Sequence, residues 1–377
     1  MWCKLLNGEL IELGDVESDD TSSIITHIHK LFPETTTKHI HLARVSDNPE
    51  LVCVLFTQPF FVDWLQTKDI NWFYLSQNTN PRLFDFILTF EPQDIPHYSW
   101  TMLSTLPHFV PFVRTYPEYQ PFIVLESLCS NPHPDAMYLF EELDGRSDFH
   151  TRIAWPRLSA ISTPRAVELL SLHPECIHWI ALMRNTSPDI VPILEAHIDK
   201  VVWNLIVYNR CEKIIEFVLR HTDQIYPYMI STLSSNSTNT MVKFLRDQRP
   251  DWINWCHFSA NSNPIAMEIL KDNVDKIYPI TLQQNKHPDA IPLYQHLKSM
   301  PEYAQKDWGW KWRLLIANNT PQAVEILTEH MQELRQDWKQ ISQWMCVWKS
   351  PLALPILYEL RDVFLSESIW ENPSIFL

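Results

Sequence analysis

One junction recurs along this chain and constrains its fold more than any other feature. Its clearest copy is Asn261-Ser262-Asn263-Pro264, followed by the apolar positions Ala266, Met267, Ile269 and Leu270. Proline is favoured at the first position of a helix, where its missing N–H would have no partner anyway. Asn263 suits the N-cap before it. Asn261 suits the left-handed position that closes the preceding helix. The apolar residues then line one face of the new helix. The segment therefore reads as one helix ending, a turn, and a second helix starting.

The same junction is readable at Pro81, Pro107, Pro134, Pro164, Pro188, Pro264, Pro288, Pro321 and Pro351, and without proline at Cys211 and Thr238. Successive anchors lie from 23 residues (Pro188 to Cys211) to 33 residues (Pro288 to Pro321) apart. Alanine stands two places after the anchor at Ala136, Ala166, Ala266, Ala290, Ala323 and Ala353, where a small side chain lets two helices approach closely. Each unit has a second half that pairs an acidic residue with Ile, Val and Trp, as in Asp199-Lys200-Val201-Val202-Trp203 and Asp251-Trp252-Ile253-Asn254-Trp255. The acidic residue fits a helix start, by capping and by the helix dipole. A unit of roughly 27 residues then holds two helices of two to three turns. Neither would be stable alone; stacked units bury a continuous core, as in a solenoid.

The fold class expected is mainly α: an α-solenoid of about eleven two-helix repeats, preceded by a small α+β segment. The segments are an N-terminal domain over 1–56, a helical transition over 57–80, the array over 81–360 and a C-terminal cap over 361–377. Residues 1–56 follow a ββαββ order. Asn7-Gly8 turns the first hairpin, Ser18-Asp19-Asp20-Thr21 starts a helix, and strands follow near Leu42 and Val52. The opening strand, the Leu6-Asn7-Gly8-Glu9 turn, that helix start and the strand near Leu42 resemble the first two-thirds of ubiquitin, a β-grasp fold. No Gly-Gly tail follows, so conjugation is not implied. Two readings stand: a built-in ubiquitin-like adaptor, or a cap over the first apolar face of the array.

Residues 81–360 resemble the Asn-Pro-x-Ala-Ile-x-x-Leu repeat proteins of giant DNA viruses of amoebae, Marseillevirus-like, and residues 261–270 carry the closest match. Cys211 and Thr238 depart from the pattern by lacking the proline. The resemblance implies a viral setting, in the host cytoplasm or the virion, and no particular activity.

Glycine is scarce, with only Gly8, Gly14, Gly145 and Gly309. No Gly-rich phosphate loop and no G-x-S-x-G elbow can be written. The net charge of −15 and the lack of a basic stripe argue against nucleic acid and against anionic membranes. Seven scattered cysteines without a CxxC fit a reducing, cytoplasmic compartment. No apolar run reaches membrane-spanning length.

Four constellations were weighed for chemistry. His39 and His41 would share one face of a strand, whereas His27 and His29 would diverge on a helix; neither pair finds a completing ligand. Glu141-Glu142 and Asp19-Asp20 sit at helix ends or polar loops and read as solvated charge rather than an acid–base pair. Cys176-Ile177-His178 is the one close Cys/His pair, and Cys176 reads as core. Trp308-Gly309-Trp310-Lys311-Trp312-Arg313 is either a stacking surface for nucleic acid or the second helix of the unit before Pro321. No catalytic, cofactor-binding or metal residues are assigned. The expected function is a non-catalytic protein–protein interaction scaffold with a protein partner, no membrane and no small-molecule substrate. The alternatives are a structural component of a virus particle, an adaptor to the host ubiquitin system through residues 1–56, or an enzyme.

Overall fold

The computed structural model describes residues 2–4, 10–12, 72–76, 79, 81, 83–145, 153–303, 309–336, 352 and 356. It is mainly helical, with many short helices packed together. The β-grasp reading of 1–56 falls outside the described residues except for two strands. Trp2–Lys4 and Leu10–Glu12 pair antiparallel with Cys3 opposite Ile11. Ala353, Pro351 and the segment 361–377 also lie outside the described residues.

The chain divides into two compact units. One comprises Met1–Ile123 and Ala323–Leu377, the other Val124–Gln322. In the first, helices Leu83–Ile87, His97–Leu103 and Phe109–Thr115 bury Phe84, Trp100, Phe109 and Phe112. Phe84 lies 4.8 Å from Phe112 between ring centroids, and Trp100 5.9 Å from Tyr119.

The second unit shows the repeat in full. First helices run Pro164–Leu172, Glu212–Arg220, Asn239–Asp247 and Pro264–Asp272, each nine residues long. Pro188 opens a short 3₁₀ turn that leads into Val191–Ala196. Asn263 is the N-cap expected, accepting from the backbone N–H of Ile265 at 2.8 Å. At Pro134 and Pro288 the helix starts two residues later, at Ala136 and Ala290. There His133 and His287 accept from the N–H of Asp135 and Asp289 through Nδ1. The alanines behave as their spacing implies: Ala136, Ala166, Ala266 and Ala290 are all buried.

Four expectations about the unit need correction. Its second helix is a single turn at Trp179–Leu182, Trp203–Ile206, Trp255–Phe258 and Pro279–Leu282, and reaches the expected length of about two turns at Trp312–Asn318, with Ile230–Ser235 in between. The acidic residues Asp199, Asp223, Asp251 and Asp275 do not cap it. They lie in 3₁₀ turns, such as Ile198–Lys200 and Val274–Lys276, that end the first helix. An extended residue follows each turn, and Ile177, Val201, Ile253 and Ile277 there are buried. Cys211 and Thr238 are N-caps, so the residues aligned with Pro264 are Glu212 and Asn239.

The fourth correction concerns the asparagine that opens the junction. Among the described residues the non-glycine with positive φ is Asn319, and the left-handed glycine is Gly145, which closes Ala136–Asp144. Asn261 is not left-handed. Its side chain turns inward and bonds the neighbouring unit.

Candidate interaction surface

A buried asparagine stands at the end of nearly every second helix in the second unit. Asn185, Asn209, Asn236, Asn261, Asn285 and Asn318 are all buried. Each donates through Nδ2 to two backbone carbonyls of the preceding unit. Asn261 reaches Ser234 and Asn236, both at 3.0 Å. Asn285 reaches Ser259 at 3.0 Å and Asn261 at 2.8 Å. Asn236 reaches Val207 and Asn209, and Asn318 reaches Gln283 and Asn285. Each Oδ1 accepts from the backbone N–H two residues on, for example Asn263 at 3.0 Å. The three bonds satisfy both carbonyls and the turn, which a buried backbone requires. Ile161 occupies this place in one unit; it cannot donate, yet its carbonyl still accepts from Asn185 at 2.7 Å.

A second set of bonds runs alongside. Ser159 Oγ accepts from the N–H of His178, Ser234 Oγ from Asn254, and Ser259 Oγ from Tyr278, at 2.9 to 3.1 Å. Gln283 does the same for Lys311 at 2.8 Å. The first helices are linked by charge. Arg165 meets Glu141 at 2.9 Å and Arg220 meets Glu195 at 2.7 Å. Glu212 accepts from the N–H groups of Asn239 and Thr240 at 2.8 and 3.0 Å. The exposed ion pairs contribute little individually.

The ladder sets the geometry of the surface beside it. Residues flanking each asparagine are held side by side in successive units, and Ser162 Oγ lies 3.1 Å from Thr186 Oγ1 in that way. One flank carries Arg184, Tyr208, Ser235 and Gln284; the other carries Thr186, Arg210, Ser237 and Lys286. A groove of about 380 Å³ opens there, lined by Tyr208, Arg210, Tyr228, Ser231, Ser235 and His257 among others. Tyr208 is 65% exposed and Tyr228 68% exposed, and Tyr226 stacks on Tyr228 with ring planes 4° apart. A larger groove of about 720 Å³ lies between first helices, with Lys213, Glu216, Arg220, Lys243, Phe244 and Asp247 in its wall. It mixes both signs of charge.

The residues singled out for chemistry are not brought together. His27, His29, His39, His41, Asp19, Asp20 and Trp308 lie outside the described residues. Glu141 is engaged with Arg165. Cys176 is not core: it is half-buried in the 3₁₀ turn Pro174–Cys176. Burial, then the neighbouring Glu175 carboxylate, raise its thiol pKa, which disfavours the nucleophilic thiolate. Its thiol points at Glu175 Oε1 from 3.8 Å, and the Nδ1 of His178 accepts from the N–H of Ala181 at 3.2 Å. Trp310 stacks on Tyr294 at 4.5 Å, and Trp312 is buried at the start of helix Trp312–Asn318, so this stretch packs within its unit. Among the described residues no group of three or more His, Cys, Asp or Glu is placed to hold a metal ion. No described helix is long and apolar enough to cross a membrane.

Tyr208, Arg210 and Tyr228 had not been singled out from the sequence. The signal that finds them is the lack of acidic residues in the second-helix segments from residue 155 onward, in an acidic chain. No protein family, no curated protein and no solved structure matches this chain.

Proposed function

We propose that this protein is a non-catalytic scaffold that binds another protein along its helical repeats. One observation carries the reading: what is buried repeats and what is exposed does not. The asparagine ladder, the buried alanines and the apolar stripes recur from unit to unit. The residues on either side of the ladder change from Arg184 to Tyr208, Ser235, Ala260 and Gln284. A regular frame thus presents a row of different side chains, which suits recognition of one extended partner. Exposed tyrosines and arginines are the anchors that dominate such interfaces.

The test is affinity purification of the tagged full chain from the cells that produce it, with cross-linking to map the contact. The expected result is one protein retained at stoichiometric level and cross-linked to the repeats, with no ATP or GTP hydrolysis. A robust hydrolase activity, or cross-links to nucleic acid in place of protein, overturns the reading.

A further inference from the structure

From residue 155 onward the second-helix segments carry a charge bias opposite to that of the whole chain, whereas the earlier helix Leu125–Leu128 holds Glu126. Residues 155–163, 179–187, 203–211, 227–238, 255–263, 279–287 and 312–320 contain no Asp or Glu, in a chain of net charge −15. They hold Arg157, Arg184, Arg210, Lys286 and Arg313, all exposed. The first helices hold acidic residues such as Glu168, Glu195, Glu216 and Glu268. They hold bases as well, among them Arg165, Lys213, Lys243 and Lys271, so the first helices carry both signs while these second-helix segments carry no negative side chain.

The groove at Tyr208 lies on the acid-free side and has no carboxylate in its wall. Arg210 and His257 supply cationic or proton-donating groups, and Tyr208 and Tyr228 supply two largely exposed rings. The groove draws on three successive units, through Tyr208 and Arg210 after helix Trp203–Ile206, Ser231 and Ser235 of Ile230–Ser235, and His257 of Trp255–Phe258, so an occupant touching all of it is extended across the units. Aromatic-lined grooves suit the ridged, pre-extended polyproline II conformation. Carboxylates on such a segment would meet Arg210 without repulsion from the groove. Nucleic acid fits less well, because it requires many phosphates to be neutralised along a stripe.

We infer that the groove formed by Tyr208, Arg210, Tyr228 and His257 docks an acidic, extended segment of a partner protein. This rests on the scaffold reading and gives it a place and a partner chemistry.

The experiment uses the full chain and a short fluorescein-labelled peptide of alternating Glu and Pro, followed by fluorescence anisotropy. The same peptide with Lys in place of Glu, a single-stranded oligodeoxynucleotide, and sedimentation of the protein alone are run beside it. The Glu-Pro peptide is expected to bind, with binding lost at about 1 M salt, where the screening length falls to about 3 Å. Arg210→Glu is expected to weaken binding by roughly tenfold or more, and Tyr228→Ala by several-fold, with unchanged circular dichroism. Lys213→Glu, in the groove between first helices, is expected to leave binding unchanged.

Equal binding of the Lys peptide, undiminished binding by the Arg210→Glu variant, or no binding at all overturns the assignment. Tighter binding of the oligodeoxynucleotide makes the groove a nucleic-acid surface instead. Self-association abolished by Arg210→Glu, without peptide binding, gives it to a second copy of the chain. If the Arg210→Glu variant still retains a stoichiometric protein partner, the scaffold reading stands and only this location fails.

Discussion

The side chain of Asn261 donates to the backbone carbonyl of Asn236 at 3.0 Å, and Asn236 itself donates to the carbonyl of Asn209 at 2.9 Å. Each asparagine is thus both a donor to the unit before it and, through its carbonyl, an acceptor for the unit after it. Replacing Asn261 by Ala removes two donors and one acceptor from a buried site. The carbonyls of Ser234 and Asn236 and the N–H of Asn263 lose their partner. We expect a loss of about 3 kcal/mol or more, since each buried group left unsatisfied costs about 1–3 kcal/mol. Urea denaturation checks this. A change under about 1 kcal/mol would mean that water replaces the amide without penalty.

Ala266 is fully buried on the first helix Pro264–Asp272. Ala266→Leu inserts apolar volume into a packed contact and is expected to destabilise by about 1–3 kcal/mol. The melting temperature reads it out. No change in that temperature would show that the site has room to spare.

Glu212 fixes the start of the next first helix through the N–H groups of Asn239 and Thr240. Burial opposes its ionised form. The bonds from Thr240 and Asn239 outweigh this, with help from the charge of Lys243, and hold the carboxyl below its usual pKa. A depressed folded-state pKa means the contribution is complete above the unfolded value, about 4.3 for Glu, and is lost as pH falls through the folded value. Wild type should therefore lose more stability than Glu212→Gln over that acid window. Parallel stability–pH curves for the two proteins would contradict this.

Cys129 is buried, which pushes its thiol up to about 11, although the Ala154 N–H points at its sulfur from 3.4 Å. The thiolate is the reactive form. Iodoacetamide at neutral pH should leave Cys129 unmodified in the native protein and label it after denaturation, as read by peptide mass spectrometry. Rapid native labelling of Cys129 would show that its surroundings open readily.

Much of the helix pattern was legible because its cues are local. Pro164, Pro188 and Pro264 open helical segments, and Asn263 caps one, for reasons contained within a few residues. The partners of Asn261 are two main-chain carbonyls 25 and 27 residues earlier. Any residue has a carbonyl, so no residue type marks the contact. An asparagine before a helix start also reads naturally as a turn residue. The length of the second helix was misread because a Trp-rich apolar stretch has the same composition in one turn as in three. The groove at Tyr208 and Arg210 escaped notice because its residues come from successive units and form no motif in any one.

The ladder has a consequence for how such a chain can change over generations. Each unit that carries the asparagine recognises its predecessor through atoms that all predecessors share. A duplicated or exchanged unit therefore arrives already compatible with its neighbours at this contact, provided it keeps its own asparagine. Ile161 shows the tolerance from the other side, since the following Asn185 still finds its carbonyl. Gain, loss and shuffling of whole units then alter what the surface displays without requiring the frame to be reinvented.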